Sequence, residues 1–366
     1  MDQHILVINP GSTSTKIAVY SANKSIMLTN VRHEQDVLTG FRKIIDQVDY
    51  RTAMIREVLD SSGFPLNTFA IVVGRGGLVR PIEGGVYKVS EEMLEDLRNP
   101  IGEHESNLGG VIAYALAREI GDKVLAVIVD PTCVDELEEI ARISGMPELP
   151  RKSFLHTLNQ KAIARRYATE LGKRYEEVDV IVAHMGGGVS VGAHSGGRVI
   201  DVNNGLNGDG PMSPERSGGV PAGQLVELCF SGKFTKEELL KKLKGKGGLS
   251  AYLGTNDALE VEERISQGDQ YAKLVYDAMA YQVSREIGAL SAVLKGKVDA
   301  ILLTGGIAYS QMVVSHIKER VSHLGPVKVY PGEGEMEALA MNGWLVLKKE
   351  VEVKTYISRK NLGLHS

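Results

Sequence analysis

A polar turn with the composition of an anion-binding site follows the first apolar run of the chain. It extends from Asn9 to Lys16 and contains an amide, one glycine, the hydroxyls of Ser12 and Ser14, and a lysine. Backbone amides, hydroxyl donors and a positive charge are the groups that bind phosphate in proteins. An ordinary Ser/Thr-rich hairpin has the same composition, so the turn alone leaves both interpretations open. The P-loop and dinucleotide-binding glycine patterns do not occur in the chain.

A second glycine-rich segment begins at His184 and directly follows another apolar run. Its three consecutive glycines, Gly186, Gly187 and Gly188, leave no side chain between the backbone amides and a bound group, which favours phosphate contact. The pattern Gly-x-Ser-x-Gly around Ser190 is also typical of a serine hydrolase nucleophile. That nucleophile needs a strand, a sharp turn and a helix, whereas a hairpin is expected here. The hydrolase remains an alternative.

Two arginines lie among small residues. Arg75 is preceded by one glycine and followed by Gly76 and Gly77, and Arg216 lies in a loop that ends in two glycines. A guanidinium binds a carboxylate or a phosphate through two parallel hydrogen bonds. Each arginine taken alone is more typical of an ordinary surface residue, but two of them in glycine loops favour an anionic substrate.

Acidic residues follow two further apolar runs. Asp130 ends the run before Pro131, at the end of a strand where α/β proteins bind ligands, although Asp before Pro is also a good turn former. Glu335 lies between Glu333 and Glu337 after the run 327–330. The three glutamates are suited to hold Mg²⁺ directly or through water, or to cap the following helix.

The overall composition restricts the class of protein. The chain has 366 residues, enough for about two domains. Its net charge of −4 gives no basic footprint for nucleic acid, and its two cysteines form no metal or disulfide pattern. No run approaches the ~20 apolar residues of a membrane span, and no leader is recognised, so a cytoplasmic protein without a membrane or nucleic-acid partner is expected. The 41 glycines, about 11%, exceed the usual ~7%.

The elements that position these residues alternate between strands and helices. Strands are predicted at 5–8, 69–73, 124–129, 178–183, 300–303 and 327–330, and helices at 90–97, 134–143, 162–171, 235–244, 269–294 and from about 338. This alternation predicts an α/β protein with at least two sheets. A weak repeat at an offset of 175 matches Val7, Gly11 and Ala18 to residues of the second half, and suggests a duplicated strand-turn-strand unit.

Taken in order, these motifs resemble the acetate and butyrate kinase family, and most closely its butyrate kinases, over nearly the whole chain. The resemblance implies the actin, hexokinase and heat-shock ATPase fold: two similar ribonuclease-H-like domains with duplicated ββαβα-type cores and a cleft between them. It implies a carboxylate-side domain formed by 1–154 and 338–366, and a nucleotide-binding domain formed by 155–337. It also implies a homodimer or a higher homo-oligomer.

The resemblance also implies roles for individual residues. The phosphate and nucleotide contacts implied are Asn9, Ser12, Ser14, Lys16, His184, Gly186, Gly187, Gly188, Asp257, Gly305, Gly306 and Ile307. The catalytic residues implied are Arg75, Asp130, His156 and Arg216, and the metal-associated residues are Glu335 and Asp130. The substrate contacts implied are Arg75, Gly76, Gly77, His104, Leu155 and Arg216.

The activity implied is reversible, direct in-line phosphoryl transfer from ATP, with Mg²⁺, to a short-chain carboxylate, giving an acyl phosphate and ADP. Acetate kinases carry bulky residues after the substrate arginine, whereas this chain has Gly76 and Gly77, with Leu155 as a further expected pocket wall. We therefore expect a larger acyl pocket that favours butanoate or a branched acid. An acetate or propanoate kinase, the serine hydrolase based on Ser190, and a non-catalytic nucleotide-binding regulator are the alternatives.

Overall fold

The computed structural model describes residues 4–100 and 102–362. Its strands are β1 to β12 in chain order: His4–Pro10, Ser14–Ser21, Lys24–Arg32, Phe69–Arg75, Val86–Lys88, Leu125–Val129, Val180–Met185, Val189–Ser195, Arg198–Val202, Ala300–Gly305, Val327–Pro331 and Val353–Lys354. Its α-helices are α1 to α13: Gln35–Thr39, Val48–Ser61, Glu91–Arg98, Asn107–Ile120, Glu139–Arg142, Thr157–Glu170, Ala222–Phe230, Lys236–Leu243, Gly248–Leu253, Ala258–Ser266, Gln270–Val293, Gln311–Val321 and Glu335–Leu347.

Two compact units divide the chain. The first consists of Met1–Val134 and Gly334–Ser366, and the second of Asp135–Glu333. From the sequence, the first boundary is expected at residue 154. In the structure it lies 20 residues earlier, at Val134. The physical reason is Glu136, whose carboxylate pairs with Lys161 at 2.7 Å and accepts the backbone N–H of Val199 at 2.8 Å, both within the second unit.

The two units share one strand order. In the first unit, the core order is β3-β2-β1-β4-β6, extended beyond β6 by β5 and β12. In the second, the order is β9-β8-β7-β10-β11. In each sheet the first three strands form an antiparallel meander and the next two add in parallel. The predicted α/β fold with a duplicated core is confirmed.

Alternating side chains on the strands build the cores. In β7, Ile181 and Ala183 pack on the face covered by α11 and α12, whereas Val180 and Val182 pack on the face covered by α6. Successive residues of a strand point to opposite faces, so an uninterrupted apolar run fits a strand buried on both sides. In the first unit, Gly343 of α13 lies against the side chains of β1 and β4.

Several local predictions are confirmed and one is wrong. Ser90 caps α3 by accepting the N–H of Met93, and Thr235 forms a capping box with Glu238 at α8. The helix predicted at 134–143 is reduced to the four residues of α5. Val134 instead forms a β-bridge with Ile82, which commits this end of the segment to an extended backbone.

Within residues 4–100 and 102–362, no helix is both long and apolar enough to cross a bilayer.

Candidate functional site

Three polar side chains meet at the carboxyl ends of β1 and β4 in the first unit. Asn9 is the penultimate residue of β1, Arg75 ends its parallel neighbour β4, and Glu335 begins α13. Nη1 of Arg75 donates to Oε2 of Glu335 at 3.0 Å and to Oδ1 of Asn9 at 3.2 Å, and Nη2 pairs with Oε1 of Glu335 at 3.0 Å. Nδ2 of Asn9 donates to Oε2 of Glu335 at 2.8 Å. The arginine therefore holds a carboxylate in the two-bond geometry expected of it.

Close backbone packing fixes the position of Arg75. A Cβ on Gly74 would overlap the carbonyl of Gly109 in α4, and a Cβ on Gly109 would overlap the carbonyl of Arg75. Only glycines allow this helix and β4 to touch backbone to backbone. The site arginine thus leaves a strand that is held directly against α4.

Gly76 and Gly77 have a different role from the one predicted. A Cβ on Gly76 would overlap the Cβ of Pro131, and a Cβ on Gly77 would lie 2.6 Å from Cα of Asn107. The missing side chains therefore leave space for Pro131 and Asn107 of the protein itself. The prediction that these glycines enlarge an acyl pocket is not supported, because the space they leave is already filled.

Leu155, the other expected pocket wall, is 3% exposed and packs with Leu137, Val199 and Val202. It is a core residue, and no sequence pattern indicates this because its partners lie on distant segments. The prediction that it lines the acyl pocket is not supported.

Asp130 is buried at the end of β6 in a left-handed conformation, with a φ of 38°. Its Oδ1 accepts the N–H of Gly85 at 2.8 Å, and its own N–H donates to the carbonyl of Gly85 at 3.0 Å. A positive φ outside glycine is uncommon and is tolerated best by Asp and Asn. His104, in the same unit, accepts the N–H of Ser106 on Nδ1 at 3.1 Å.

The first polar turn spans the end of β1, the connection at residues 11–13 and the start of β2. The turn is closed by the N–H of Gly11 donating to the carbonyl of Ser14 at 2.7 Å. Ser12 and Lys16 are exposed, and Ser14 is half-buried. The turn therefore presents its hydroxyls and its lysine to solvent.

In the second unit, His156 and His184 stack on each other, with ring centroids 3.9 Å apart and planes 15° from parallel. His156 immediately precedes α6, and His184 lies near the end of β7. The sequence singled out both residues but gave no reason to place their rings face to face.

Hydrogen-bond partners assign the tautomer of His156. Nε2 of Gln160 donates to the backbone carbonyl of Ser190 at 3.0 Å, which fixes the orientation of this amide, and also to Oγ of Ser190 at 2.8 Å. The backbone N–H of His156 also donates to Oγ of Ser190, at 3.3 Å. With both acceptor positions occupied, Oγ donates its own proton to Nδ1 of His156, 2.9 Å away. Because Nδ1 accepts, neutral His156 carries its proton on Nε2.

Analogous reasoning gives His184 the opposite tautomer. Nδ2 of Asn159 donates to the backbone carbonyl of Glu333, so its Oδ1 must accept from Nδ1 of His184 at 2.7 Å. Neutral His184 therefore carries its proton on Nδ1. The two neutral rings therefore differ in the nitrogen that carries the proton, Nε2 in His156 and Nδ1 in His184. Asn159 and Gln160 were missed in the sequence, because polar residues within a helix carry no signal of their partners.

Ser190 lies inside β8, is fully buried, and is followed by a hairpin into β9. The strand-turn-helix geometry of a hydrolase nucleophile is therefore absent at this residue. Its hydroxyl serves the hydrogen-bond chain to His156.

The glycine triplet makes room for two charged residues. A Cβ on Gly188 would overlap Nη1 of Arg216, and one on Gly187 would lie 3.4 Å from Oε2 of Glu215. Nη1 of Arg216 also donates to the carbonyl of Gly205. Burial lowers the pKa of the Arg216 guanidinium, and Glu215 partly offsets this effect. The triplet and the arginine loop, 30 residues apart in sequence, thus form one cluster.

The remaining residues predicted to contact nucleotide have mixed environments. Asp257 caps α10, with Oδ1 accepting the N–H of Leu259 at 2.9 Å. Gly305 has a φ of 89°, and its Cβ would overlap the carbonyl of Met185. Gly306 is exposed, whereas the side chain of Ile307 belongs to the core of the second unit.

No group of three or more His, Cys, Asp or Glu residues suited to a metal ion occurs in the described part of the chain. The carboxylates of Asp130 and Glu335 are hard oxygen donors, as Mg²⁺ requires. Nucleotide-bound Mg²⁺ usually takes one or two carboxylates together with phosphates and water. The donor set therefore fits a Mg²⁺ carried by a nucleotide rather than a metal held by the protein alone.

The sequence model of the Acetokinase family matches residues 148–360, more than half of the chain. The chain belongs to the Acetokinase family. Membership implies a carboxylate kinase that uses ATP.

Solved structures of several carboxylate kinases share this fold. Acetate kinase from Porphyromonas gingivalis superposes with a TM-score of 0.76 at 19% identity, covering 94% of this chain and 100% of that one. A propionate kinase from Francisella tularensis subsp. tularensis superposes with a TM-score of 0.74 at 19% identity, covering 93% of this chain and 98% of that one. Acetate kinase from Entamoeba histolytica superposes with a TM-score of 0.73 at 16% identity, covering 95% of this chain and 99% of that one. At these identities, the similarity establishes the fold of an acetokinase and leaves the acid it uses open.

Proposed function

We propose that this acetokinase family member transfers the γ-phosphoryl group of ATP reversibly to a short-chain carboxylate, with butanoate or a branched short-chain acid preferred. A carboxylate oxygen forms a bond to the γ-phosphorus, the bond from that phosphorus to the bridging oxygen of ADP breaks, and ADP leaves with the electron pair. We assign the carboxylate to Arg75 in the first unit and the nucleoside to the second unit.

The observation that carries the proposal is the geometry of Arg75. Its two terminal nitrogens already hold a carboxylate, that of Glu335, at 3.0 Å each. A substrate carboxylate has the same shape, charge and hydrogen-bonding capacity. A guanidinium of this kind aligns the acid for attack and offsets its negative charge.

The reaction needs no general base in the protein. A short-chain carboxylic acid has a pKa close to that of a Glu side chain, ~4.3, so the nucleophile is already ionised at neutral pH. The protein must instead align two anions and stabilise the charge on the transferring group. We assign these tasks to Arg216 and to the Nε2–H of His156, with His184 supporting the ring of His156.

Phosphate contacts come from both polar turns. We assign the nucleotide phosphates to Asn9, Ser12, Ser14, Lys16 and the backbone of residues 186–188, and the nucleoside to the segment 305–307 with Asp257. When bound, Mg²⁺ neutralises charge on the nucleotide phosphates, and Asp130 and Glu335 are the carboxylates proposed to hold it.

The preference for a four-carbon or branched acid is supported by the resemblance to butyrate kinases. It receives no support from Gly76 and Gly77, whose missing side chains face Pro131 and Asn107. An acetate or propanoate kinase is the alternative, because the family and the fold are equally consistent with it.

The test is hydroxylamine trapping of acyl phosphate from ATP and Mg²⁺, with acetate, propanoate, butanoate and 2-methylpropanoate as separate substrates. We expect the highest kcat/KM with butanoate or 2-methylpropanoate. A maximum of kcat/KM with acetate would overturn the proposed chain-length preference but not the proposed kinase activity. Failure to form a hydroxamate with any of the acids would overturn the kinase itself.

A further inference from the structure

We propose that Arg51 is a positioning residue that orients the backbone of the turn at residues 11–15 so that its amides bind phosphate. The proposal rests on the proposed function, which assigns this turn to the nucleotide phosphates. Arg51 itself does not touch the substrate. It acts from inside the first unit, through the carbonyl groups of the turn.

Arg51 lies in the first turn of α2 and is fully buried, with 0% of its surface exposed. Its Nη1 donates to the carbonyl of Gly11 at 2.8 Å and to that of Ser14 at 3.3 Å. Its Nη2 donates to the carbonyl of Ser12 at 3.1 Å. One guanidinium thus holds three carbonyls of a four-residue stretch.

The remaining N–H groups of Arg51 also have partners. Nε and Nη2 both donate to Oε1 of Gln47, at 3.0 and 2.8 Å, and Nη1 donates to Oγ1 of Thr15 at 3.1 Å. All these acceptors are uncharged. Burial lowers the pKa of the Arg51 guanidinium, and the charge of Glu105 partly offsets this effect. A buried cation bonded to uncharged oxygens is costly, so its presence under this turn calls for a functional reason.

Trans peptide geometry converts these bonds into a direction for the amides. In a trans peptide, the C=O of one residue and the N–H of the next point in opposite directions, and no cis peptide bond occurs in the described residues. Because the carbonyls of Gly11 and Ser12 point at the guanidinium, the N–H groups of Ser12 and Thr13 point away from it. Both residues are exposed. Two successive N–H groups that face solvent form an anion-binding concavity.

His33 completes the support of the turn. Its backbone N–H donates to the carbonyl of Thr13 at 2.9 Å, and its Nε2 lies 2.8 Å from Oγ1 of Thr15. Since Oγ1 of Thr15 accepts from Arg51, its proton is free to bond Nε2 of a neutral His33. Desolvation and the charge of Arg51 lower the pKa of His33 to about 4, which keeps the ring neutral at pH 7.

The experiment compares Arg51→Met and Arg51→Lys with the control Arg56→Met. Arg56 lies in the same helix, but it is partly exposed and pairs with Glu119 at the surface. Steady-state kinetics gives KM for MgATP and KM for the carboxylate, and titration calorimetry gives Kd for MgADP alone. Thermal unfolding identifies temperatures at which each variant is folded.

We expect Arg51→Met to raise KM for MgATP and Kd for MgADP about tenfold or more. A change of this size corresponds to the loss of roughly one charge-assisted hydrogen bond to the ligand. KM for the carboxylate should stay within about twofold, and Arg51→Lys should recover part of the loss. Arg56→Met should match the wild type. The calorimetric titration needs no turnover, so it decides the role of Arg51 even if no acyl phosphate is formed.

Two outcomes would overturn the proposal. One is a variant that unfolds at a lower temperature but binds MgADP as the wild type does, which would make Arg51 a structural residue only. The other is an equal rise in both KM values, which would show a general distortion of the site. If Arg51→Met fails to fold, Arg51→Lys carries the same comparison, and unchanged binding of MgADP by it would count against the proposal.

Discussion

Glu335 fills the guanidinium fork of Arg75: each oxygen of the carboxylate lies 3.0 Å from a different terminal nitrogen of the arginine. Both side chains are partly buried, so the pair is screened less than one at the surface. The proposed function gives both residues other partners, the substrate carboxylate for Arg75 and Mg²⁺ for Glu335. The internal pair therefore competes with both ligands.

This competition predicts the effect of Glu335→Gln. The neutral amide binds Arg75 less strongly, so KM for the carboxylate should fall about threefold or more, whereas kcat should fall because a metal-associated carboxylate is lost. Steady-state kinetics with varied carboxylate and saturating MgATP measures both. Glu337→Gln, an exposed residue of the same helix turn, is the matched control. An unchanged or higher KM for the carboxylate would refute the competition.

The contact between Gly188 and Arg216 predicts that two different substitutions have the same effect. Arg216→Ala should lower kcat on the order of 10²- to 10³-fold, as expected for the loss of one charged donor to the transition state. Gly188→Ala should also lower kcat, because its Cβ must displace the guanidinium. Gly223→Ala, whose Cβ has open space around it, should leave kcat unchanged. Near-wild-type kcat in Arg216→Ala would remove this residue from the mechanism.

The hydrogen-bond chain to His156 predicts a defect in Ser190→Ala. Without the hydroxyl, Nδ1 of His156 loses its donor and the Nε2–H tautomer loses its preference, so kcat should fall about 3- to 10-fold, the effect of one ordinary hydrogen bond. Ser284→Ala removes a buried hydroxyl that bonds only the carbonyl of Ala280 among the described contacts, and so controls for lost stability. The same variant tests the hydrolase alternative, which requires complete loss of an esterase burst. A kcat equal to that of the wild type would separate Ser190 from the function of His156.

Buried histidines predict acid sensitivity of the fold. Desolvation, reinforced by the nearby charges of Lys161 and Arg165, lowers the pKa of His194 from 6.5 to about 3. Between these values, the unfolded chain binds a proton that the folded chain does not, so the free energy of unfolding falls as pH drops from about 6.5 towards 3. His33, with a pKa of about 4, adds to this loss over the upper part of the range.

Chemical denaturation at pH 7 and pH 5 measures the loss. His194→Gln retains one donor and one acceptor for Gln160 and Tyr175, and should lose less stability between these pH values than the wild type does. His323→Gln, at an exposed position, should behave as the wild type. Equal losses in all three proteins would assign the acid sensitivity to other groups.

Sequence patterns anticipated the elements well, because the signals for strands and helix caps are local. The apolar run that became β7 is buried on both faces, and the hydroxyl of Thr235 caps α8 as expected. The sequence repeat that matched Gly11 to Gly186 corresponds to a repeat in the structure. Each glycine directly follows the first strand, in chain order, of its sheet, and the two sheets have the same strand order.

What the sequence failed to supply was the direction in which each residue faces. Leu155 and Gly77 were predicted to contact the substrate, but both face other parts of the protein. Arg51 and Gln160 went unnoticed in ordinary helical sequence, because their partners, the carbonyls of a distant turn and Ser190, come close only after folding. Contact between distant segments, rather than local preference, decides these roles.

The backbone contact between Gly74 and Gly109 has a mechanical consequence. Elsewhere in a protein, side chains separate a helix from a sheet and absorb small displacements by changing rotamer. Here the carbonyls of α4 and β4 lie within the space a single methyl group would occupy, so no such layer exists at this point. A shift of α4 along its axis must therefore move the backbone of Arg75 with it, so that the end of β4 and the helix move together.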